Sequence, residues 1–270
     1  MRTLVHLSDL HFDRVNPDVV RRLAQEVPRL EPDLIVVSGD FTQRARSHQF
    51  RAARAFLDTL PGLKIVVPGN HDVPLHDVVR RFFSPLGRYR RHICADLRPS
   101  YSDAEVLVLG TDTTRSLTIG GGGMRRRELA RIARVLKEAA PSVVKVVVAH
   151  HPFDVPYAGA PFEGAPQGRD AVERLALAGA DLFLTGHLHV SYAGPTAIRY
   201  RAGGRSAIVV EAGTATSTRM RGETNAFNVV RIERSAIAVE HLAWQPSSGS
   251  FEPATVQRFT RSDDGWALDV

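Results

Sequence analysis

Residues 64–74 read KIVVPGNHDVP. A short apolar run, Ile65–Val66–Val67, stops at Pro68–Gly69, and Asn70, His71 and Asp72 follow without a break. The run is β-branched and continuous, the pattern of a strand buried on both faces. The three polar side chains therefore stand just past the end of a buried strand, where they either cap a turn or carry chemistry.

The same punctuation recurs along the chain. Leu4–Leu7 is followed by Asp9-Leu10-His11, and Leu34–Val37 by Gly39-Asp40. Val143–Ala149 runs into His150-His151-Pro152, and Leu182–Leu184 into Gly186-His187-Leu188-His189. A further run, Val106–Leu109, carries no such group. The carboxyl ends of strands in an open α/β sheet line one edge, so these groups can converge in one crevice. Asp, His and Asn are hard-to-borderline ligands suited to Mn, Fe or Zn. Residues two apart on an extended segment point the same way, so both members of Asp9/His11 and of His187/His189 are expected to face one site. Taken singly, His-x-His, Gly-Asp and Asn-His-Asp are ordinary turn and cap chemistry. Together, each after an apolar run, they read as one site.

Amphipathic helices separate the runs. Asn16-Pro17 opens one as cap and first-turn proline, with Leu23, Val27 and Leu30 at helical spacing; residues 51–60 and 125–139 supply two more. Beyond residue 190 the segments Ser206–Glu211, Phe227–Glu233 and Ile237–Trp244 predict an antiparallel half. No linker or internal repeat divides the chain, so residues 1–270 are expected to form a single domain. Residues 74–100 read as a helical insertion, whose basic segment Arg80–Arg91 caps the site, meets a membrane surface or packs against its own Phe82 and Phe83. Residues 152–167 are rich in Pro and Gly and read as a loop beside the site. Residues 245–270 form a C-terminal extension of unassigned structure, which Phe251, Val256, Phe259 and Trp266 predict to be packed.

Composition narrows the class. The chain is 43% hydrophobic and 24% charged, which excludes a disordered or low-complexity protein. No apolar run reaches the ~18 residues of a membrane span, and His6, Ser8 and Asp9 break the N-terminal apolar stretch that a secretory signal would need. The lone Cys94 rules out an internal disulfide, and a cytoplasmic location is expected. The net charge of +6 is carried almost entirely by scattered arginines, which does not by itself indicate nucleic acid.

The ordered set D-x-H (9–11), G-D (39–40), G-N-H-D (69–72), H-H-P (150–152) and G-H-x-H (186–189) resembles the calcineurin-like metallophosphoesterase superfamily, over residues 4 to about 190. Residues 211–233, EAGTATSTRMRGETNAFNVVRIE, resemble the closing strands of its bacterial cyclic-AMP phosphodiesterase-like (class III) branch. The resemblance implies an α/β fold, a four-layer α/β/β/α sandwich, with two divalent or mixed-valence metal ions (Mn, Fe or Zn) at the strand ends. By motif, Asp9, His11 and His189 hold one ion, Asn70, His150 and His187 complete the other, and Asp40 bridges; a carboxylate has two oxygens and can bind both ions. A metal-bridging hydroxide is expected to attack phosphorus, with His71 serving the leaving group. Asp72 orients His71 or caps the turn. His151, after the ligand of the H-H-P motif, is a packing or outer-sphere residue or a substrate contact. The chain departs from the family at Gln43, where many members carry an aspartate that helps to orient the catalytic histidine; Gln43 or Asp72 takes that role. Arg44 and Arg219, with Arg46 and Arg221 near them, are candidate substrate contacts. The implied substrate is a small phosphodiester such as a cyclic nucleotide. A nuclease or phosphomonoesterase is the alternative, and a non-catalytic scaffold is disfavoured because every motif residue is kept. Nucleic acid as a partner and a homodimer stay open.

Overall fold

The structure is a computed structural model that describes residues 1–118, 120–153, 168–198, 205–219 and 222–269. In chain order, the first half contains β1 (Arg2–Leu7), α1 (Pro17–Arg29), β2 (Leu34–Val37), α2 (Ser47–Thr59), β3 (Leu63–Val66), α3 (Val78–Phe83), α4 (Gly87–His92), β4 (Ser100–Ser102) and β5 (Val106–Gly110). It continues with α5 (Arg126–Glu138), β6 (Val144–Val148), α6 (Gly168–Leu177), β7 (Leu182–Thr185), β8 (Tyr192–Pro195), β9 (Ile208–Glu211), β10 (Ala226–Ile232), β11 (Ala236–Gln245), β12 (Ser250–Ser262) and β13 (Gly265–Leu268).

Among the described residues these strands form two mixed sheets, ordered β13-β12-β11-β10-β1-β2-β3 and β4-β5-β6-β7-β9-β8. Alternation along each strand builds the layers. In β2, Ile35 and Val37 join the core under the helices, while Leu34 and Val36 join the core between the sheets. α1, α2 and α4 cover the outer face of the first sheet around Leu23, Phe50, Phe56 and Tyr89. Ile132 and Leu136 of α5 and Leu175 of α6 cover the second sheet over Val147 and Phe183. Both faces of the central strands are thus apolar, which is why their sequences read as unbroken hydrophobic runs. The result is the expected four-layer sandwich.

α1 starts as its sequence predicts: the Asn16 side chain accepts from the Asp18 N–H, Pro17 opens the helix, and Val19, Leu23 and Val27 form its buried stripe. Two expectations need correction. The segment at 206–211, grouped with the later strands in an antiparallel half, contains β9, which lies in the second sheet, parallel to β7 and antiparallel to β8. Its residues Ile208–Glu211 are buried throughout, as a parallel strand between two covered faces requires. In residues 245–270, whose structure was unassigned, β12 and β13 complete one edge of the first sheet, and Phe251, Phe259 and Trp266 are packed as expected, but Val256 is 51% exposed. Most of the loop expected at 152–167 and Arg221 lie outside the described residues. Among the described residues no helix is long and apolar enough to cross a membrane.

Candidate metal centre

The carboxyl ends of β1, β2 and β3 in one sheet meet those of β6 and β7 in the other. Asp9, His11, Asp40, Asn70, His150, His187 and His189 converge there, all but Asn70 buried. Convergence is not achieved by extended backbone, as the two-apart spacing suggested. Asp9 (φ 53°), His11 (φ 48°), Asp40 (φ 51°), His187 (φ 74°) and His189 (φ 60°) all occupy the left-handed region. For residues with a Cβ this costs roughly 1 kcal/mol or more each, and such strain gathers where a site dictates the geometry. The loops are clamped from behind. Thr214 Oγ1 donates to the Asp9 carbonyl and Thr216 Oγ1 to that of Leu10, each at 2.7 Å, and Ser8 Oγ donates to Asp9 Oδ2 at 2.7 Å. Gly39, at φ 100°, leaves room for His150, whose Nδ1 would lie 2.5 Å from any Cβ there.

The donor atoms face one another. His150 Nδ1 lies 2.7 Å from the Ser38 carbonyl and His189 Nδ1 2.7 Å from the Arg219 carbonyl; each therefore carries a proton, and the neutral ring presents a lone pair at Nε2. His150 Nε2 then meets Asn70 Oδ1 at 3.0 Å, His187 Nδ1 at 3.3 Å and Asp40 Oδ2 at 3.4 Å. His189 Nε2 meets Asp9 Oδ1 and His11 Nε2, both at 3.1 Å. Asp40 Oδ2 is also 3.6 Å from His11 Nε2, so one oxygen faces both sets. The other, Oδ1, accepts from the His71 N–H at 2.8 Å, which differs from the expectation that Asp40 would use one oxygen for each ion. Buried Asp9 Oδ1 makes no hydrogen bond.

Lone pairs packed this closely need a cation among them. Around a divalent ion with bonds of about 2.1 Å, adjacent ligands stand roughly 3.0–3.4 Å apart, close to the spacings here. The oxygen and imidazole donors suit Mn, Fe or Zn, so the residues fit the two ions. The electrostatics agree. Burial would raise the Asp9 carboxyl, but His189 and His11 hold it well below the carboxylate range, and His150 and His71 do the same for Asp40. Against its burial, His150 is raised to about 9 by Asp40, and His189 is raised by Asp9. The field that draws protons onto these rings also binds a divalent ion, which competes with them.

His71 stands at the edge of the cluster, its ring 4.8 Å from that of His11. Its Nδ1 donates to the Gln43 main-chain carbonyl at 2.9 Å, and its Nε2 accepts from Arg219 Nη1 at 3.0 Å. Burial lowers its pKa, with Asp40 opposing. The main chain at Gln43, rather than its amide, thus meets the histidine. Asp72 points elsewhere: its carboxylate accepts from the N–H groups of Phe41, Thr42 and Gly69 and from Thr42 Oγ1. Of the two roles considered for Asp72, this is the turn cap, clasping the loop after β2 to the loop after β3; burial and the Asp40 charge push its carboxyl up to about 7.

His151 is fully buried with Nδ1 2.9 Å from Thr113 Oγ1 and its ring 4.8 Å from that of His187, a packing position. A cavity of about 250 Å³ opens over the cluster, lined by Asp40, Asn70, His71, His187, His189 and also by Arg44, Arg81 and Arg219. His151 does not line it, which argues against the substrate contact considered for it. Arg81 was missed in the sequence, where it is one of many arginines in a basic stretch. So were Ser8, Thr214 and Thr216, because a serine or threonine in a loop carries no signal of what it clamps. A larger cleft of about 760 Å³ between α5 and α6 touches none of the ligand candidates.

The sequence profile of the calcineurin-like phosphoesterases matches residues 2–191. The glycerophosphodiester phosphodiesterase GpdQ of Enterobacter lignolyticus is 35% identical over 82 residues, 26% of this chain and 29% of that protein. The UDP-2,3-diacylglucosamine pyrophosphatase LpxG of Chlamydia muridarum is 35% identical over 72 residues, 26% of this chain and 22% of its own length. The matches therefore span under a third of these relatives. Among solved structures, the purple acid phosphatase PPD1 from yellow lupin seeds aligns with a TM-score of 0.70 at 13% identity, over 97% of this chain and 54% of that one. A dimetal phosphatase from Danio rerio aligns with a TM-score of 0.64 at 15% identity, over 94% and 98%. At such identities the likeness is one of fold.

Proposed function

The chain belongs to the calcineurin-like phosphoesterase family, and from that premise we propose that it is a dinuclear phosphodiesterase acting on a small diester such as a cyclic nucleotide. The observation that carries this reading is Asp40 Oδ2, set between His11 Nε2 and His150 Nε2 so that one carboxylate can join two ligand sets. In this reading Asp9, His11 and His189 hold one ion, Asn70, His150 and His187 the other. Two divalent ions there would supply an activated water near neutral pH and offset the charge of the phosphoryl oxygens.

The chain's own groups do the rest. Asn70 offers a neutral amide oxygen, limiting negative charge where an anionic substrate must enter. His71 is fixed from two sides, by Gln43 O at Nδ1 and by Asp40 Oδ1 at its main-chain N–H, so its Nε2 alone faces the cavity. To serve as acid, Nε2 would have to exchange its contact with Arg219 Nη1 for a proton, which would then pass to the leaving alkoxide. Arg219 donates to the same Nε2 while its carbonyl fixes His189, which places a guanidinium beside the reacting phosphate. Arg44 stands at the cavity wall as a further contact.

Two points support a small diester: the cavity is only about 250 Å³, and a diester carries a single charge that two ions can meet unaided. The name of the relative GpdQ points the same way. A monoester or pyrophosphate is the second reading, favoured by three arginines in the cavity lining. The lone, partly buried Cys94 fits a reducing cytoplasm.

The test is turnover of bis(para-nitrophenyl) phosphate and para-nitrophenyl phosphate by metal-stripped protein, with and without Mn²⁺. Turnover of the diester only with metal, and faster than the monoester, is expected. A faster monoester would favour the second reading, and no turnover of either with two ions bound would remove the catalytic one.

A further inference from the structure

Of the nine exposed large apolar side chains among the described residues, five stand close together. Val78 (60% exposed), Val79 (69%), Phe82 (52%) and Phe83 (87%) lie on the six residues of α3, and Leu117 (86%) sits in the neighbouring loop. Phe82 and Phe83 thus do not pack against the basic segment that contains them. The helix is held firmly by its opposite face. Buried Arg81 donates through Nε to the Ser116 carbonyl at 2.7 Å, through Nη1 to Pro74 at 2.9 Å and through Nη2 to Thr118 at 2.6 Å. Arg81, Leu75 and Thr118 also line the cavity over the metal cluster, so the apolar face flanks its mouth. Of the six arginines in residues 74–98, Arg80 pairs with Asp77, Arg98 with Glu128, and Arg81 and Arg88 donate to main-chain carbonyls, which leaves Arg90 and Arg91 exposed without a carboxylate partner among the described residues.

We propose that α3 and Leu117 dock this protein onto an anionic phospholipid bilayer, with Phe82 and Phe83 inserted below the headgroups and the flanking arginines on the lipid phosphates. A rigid apolar face followed in the chain by the exposed Arg90 and Arg91 has the composition of an interfacial element. The charge selects the occupant. A symmetric contact with a second copy would bring two arginine-rich segments together, whereas an anionic surface complements them. Docking here sets the cavity mouth beside the bilayer, and it stands independently of the diesterase reading.

The test is co-sedimentation of the full chain with sucrose-loaded phosphatidylcholine vesicles, with and without about 30 mol % phosphatidylglycerol. Binding to the anionic vesicles is expected, about tenfold weaker for Phe82→Ser/Phe83→Ser and without anionic preference for Arg90→Glu/Arg91→Glu. The single Phe83→Ser, at the most exposed position, is the milder variant should the double one unfold. Turnover of a soluble diester by the phenylalanine variants should match the wild type. Three results would overturn the proposal: no sedimentation, equal sedimentation of the phenylalanine variants, or a dimer that those variants dissociate. Vesicle binding without any turnover would leave docking intact and remove only the catalytic reading.

Discussion

Asp40 ties the centre together at the level of single atoms. Its Oδ2 faces both ligand sets and its Oδ1 holds the His71 main chain, so the proposed bridge also fixes the proposed proton donor. His71 stands within reach of His11 and Asp40, but its ring nitrogens are engaged elsewhere, by Gln43 O and Arg219. His71→Ala is therefore expected to keep both ions while lowering kcat about 10²–10⁴-fold. The loss should be greater for alkyl than for para-nitrophenyl leaving groups, as steady-state rates across a diester series will report; an equal loss across the series would reduce His71 to a structural role. That these residues would converge was legible because few residue types can bind a cation, and each stood just after an apolar run. The Arg219–His71 contact was not, since 148 residues separate the pair and nothing local marks it. Nor was the left-handed backbone of Asp9, His11, His187 and His189, which alternation along an extended strand does not anticipate.

At the scale of elements, the buried strands were easy to place and the sheet edges were not. A strand covered on both faces has only one pattern, a continuous apolar run, and that pattern located β1, β2, β5, β6 and β7. It cannot tell which neighbour the strand pairs with, and so β9 was assigned to the wrong half. β12 alternates less clearly because most of its length is exposed, and only Phe251 and Phe259 mark its buried face. The packing of β13 rests on Trp266. It is 1% exposed, lies in the core between the sheets, donates from Nε1 to Asp181 Oδ1 at 3.0 Å and has the Arg261 guanidinium 4.9 Å from its ring centre. Asp181 also meets Arg205 and Arg261, so it keeps charged partners if the indole is lost. Trp266→Ala should then cost about 3–5 kcal/mol in urea unfolding through the cavity it leaves, with metal stoichiometry unchanged. A cost below about 1 kcal/mol would mean that the edge strands contribute little to the core.

For the whole molecule, the arrangement that matters is two sheets face to face with the carboxyl ends of five strands meeting at one rim. Neither sheet holds a full ligand set: Asp9, His11, Asp40 and Asn70 come from loops of the first, His150, His187 and His189 from loops of the second. Metal binding should therefore clamp the sheets together and stabilise the fold by linkage. Spacing along the chain could indicate that such groups converge; that they come from two sheets followed from the resemblance, since local pattern does not reveal how strands are shared between layers. The measurement that tests the account most directly is calorimetric titration of metal-stripped protein with Mn²⁺, on the wild type and on Asp40→Ala. Two equivalents bound by the wild type, with both sites lost or severely weakened in Asp40→Ala, is the predicted result. A single equivalent, or an Asp40→Ala protein that binds two ions as tightly as the wild type, would contradict a centre bridged by Asp40.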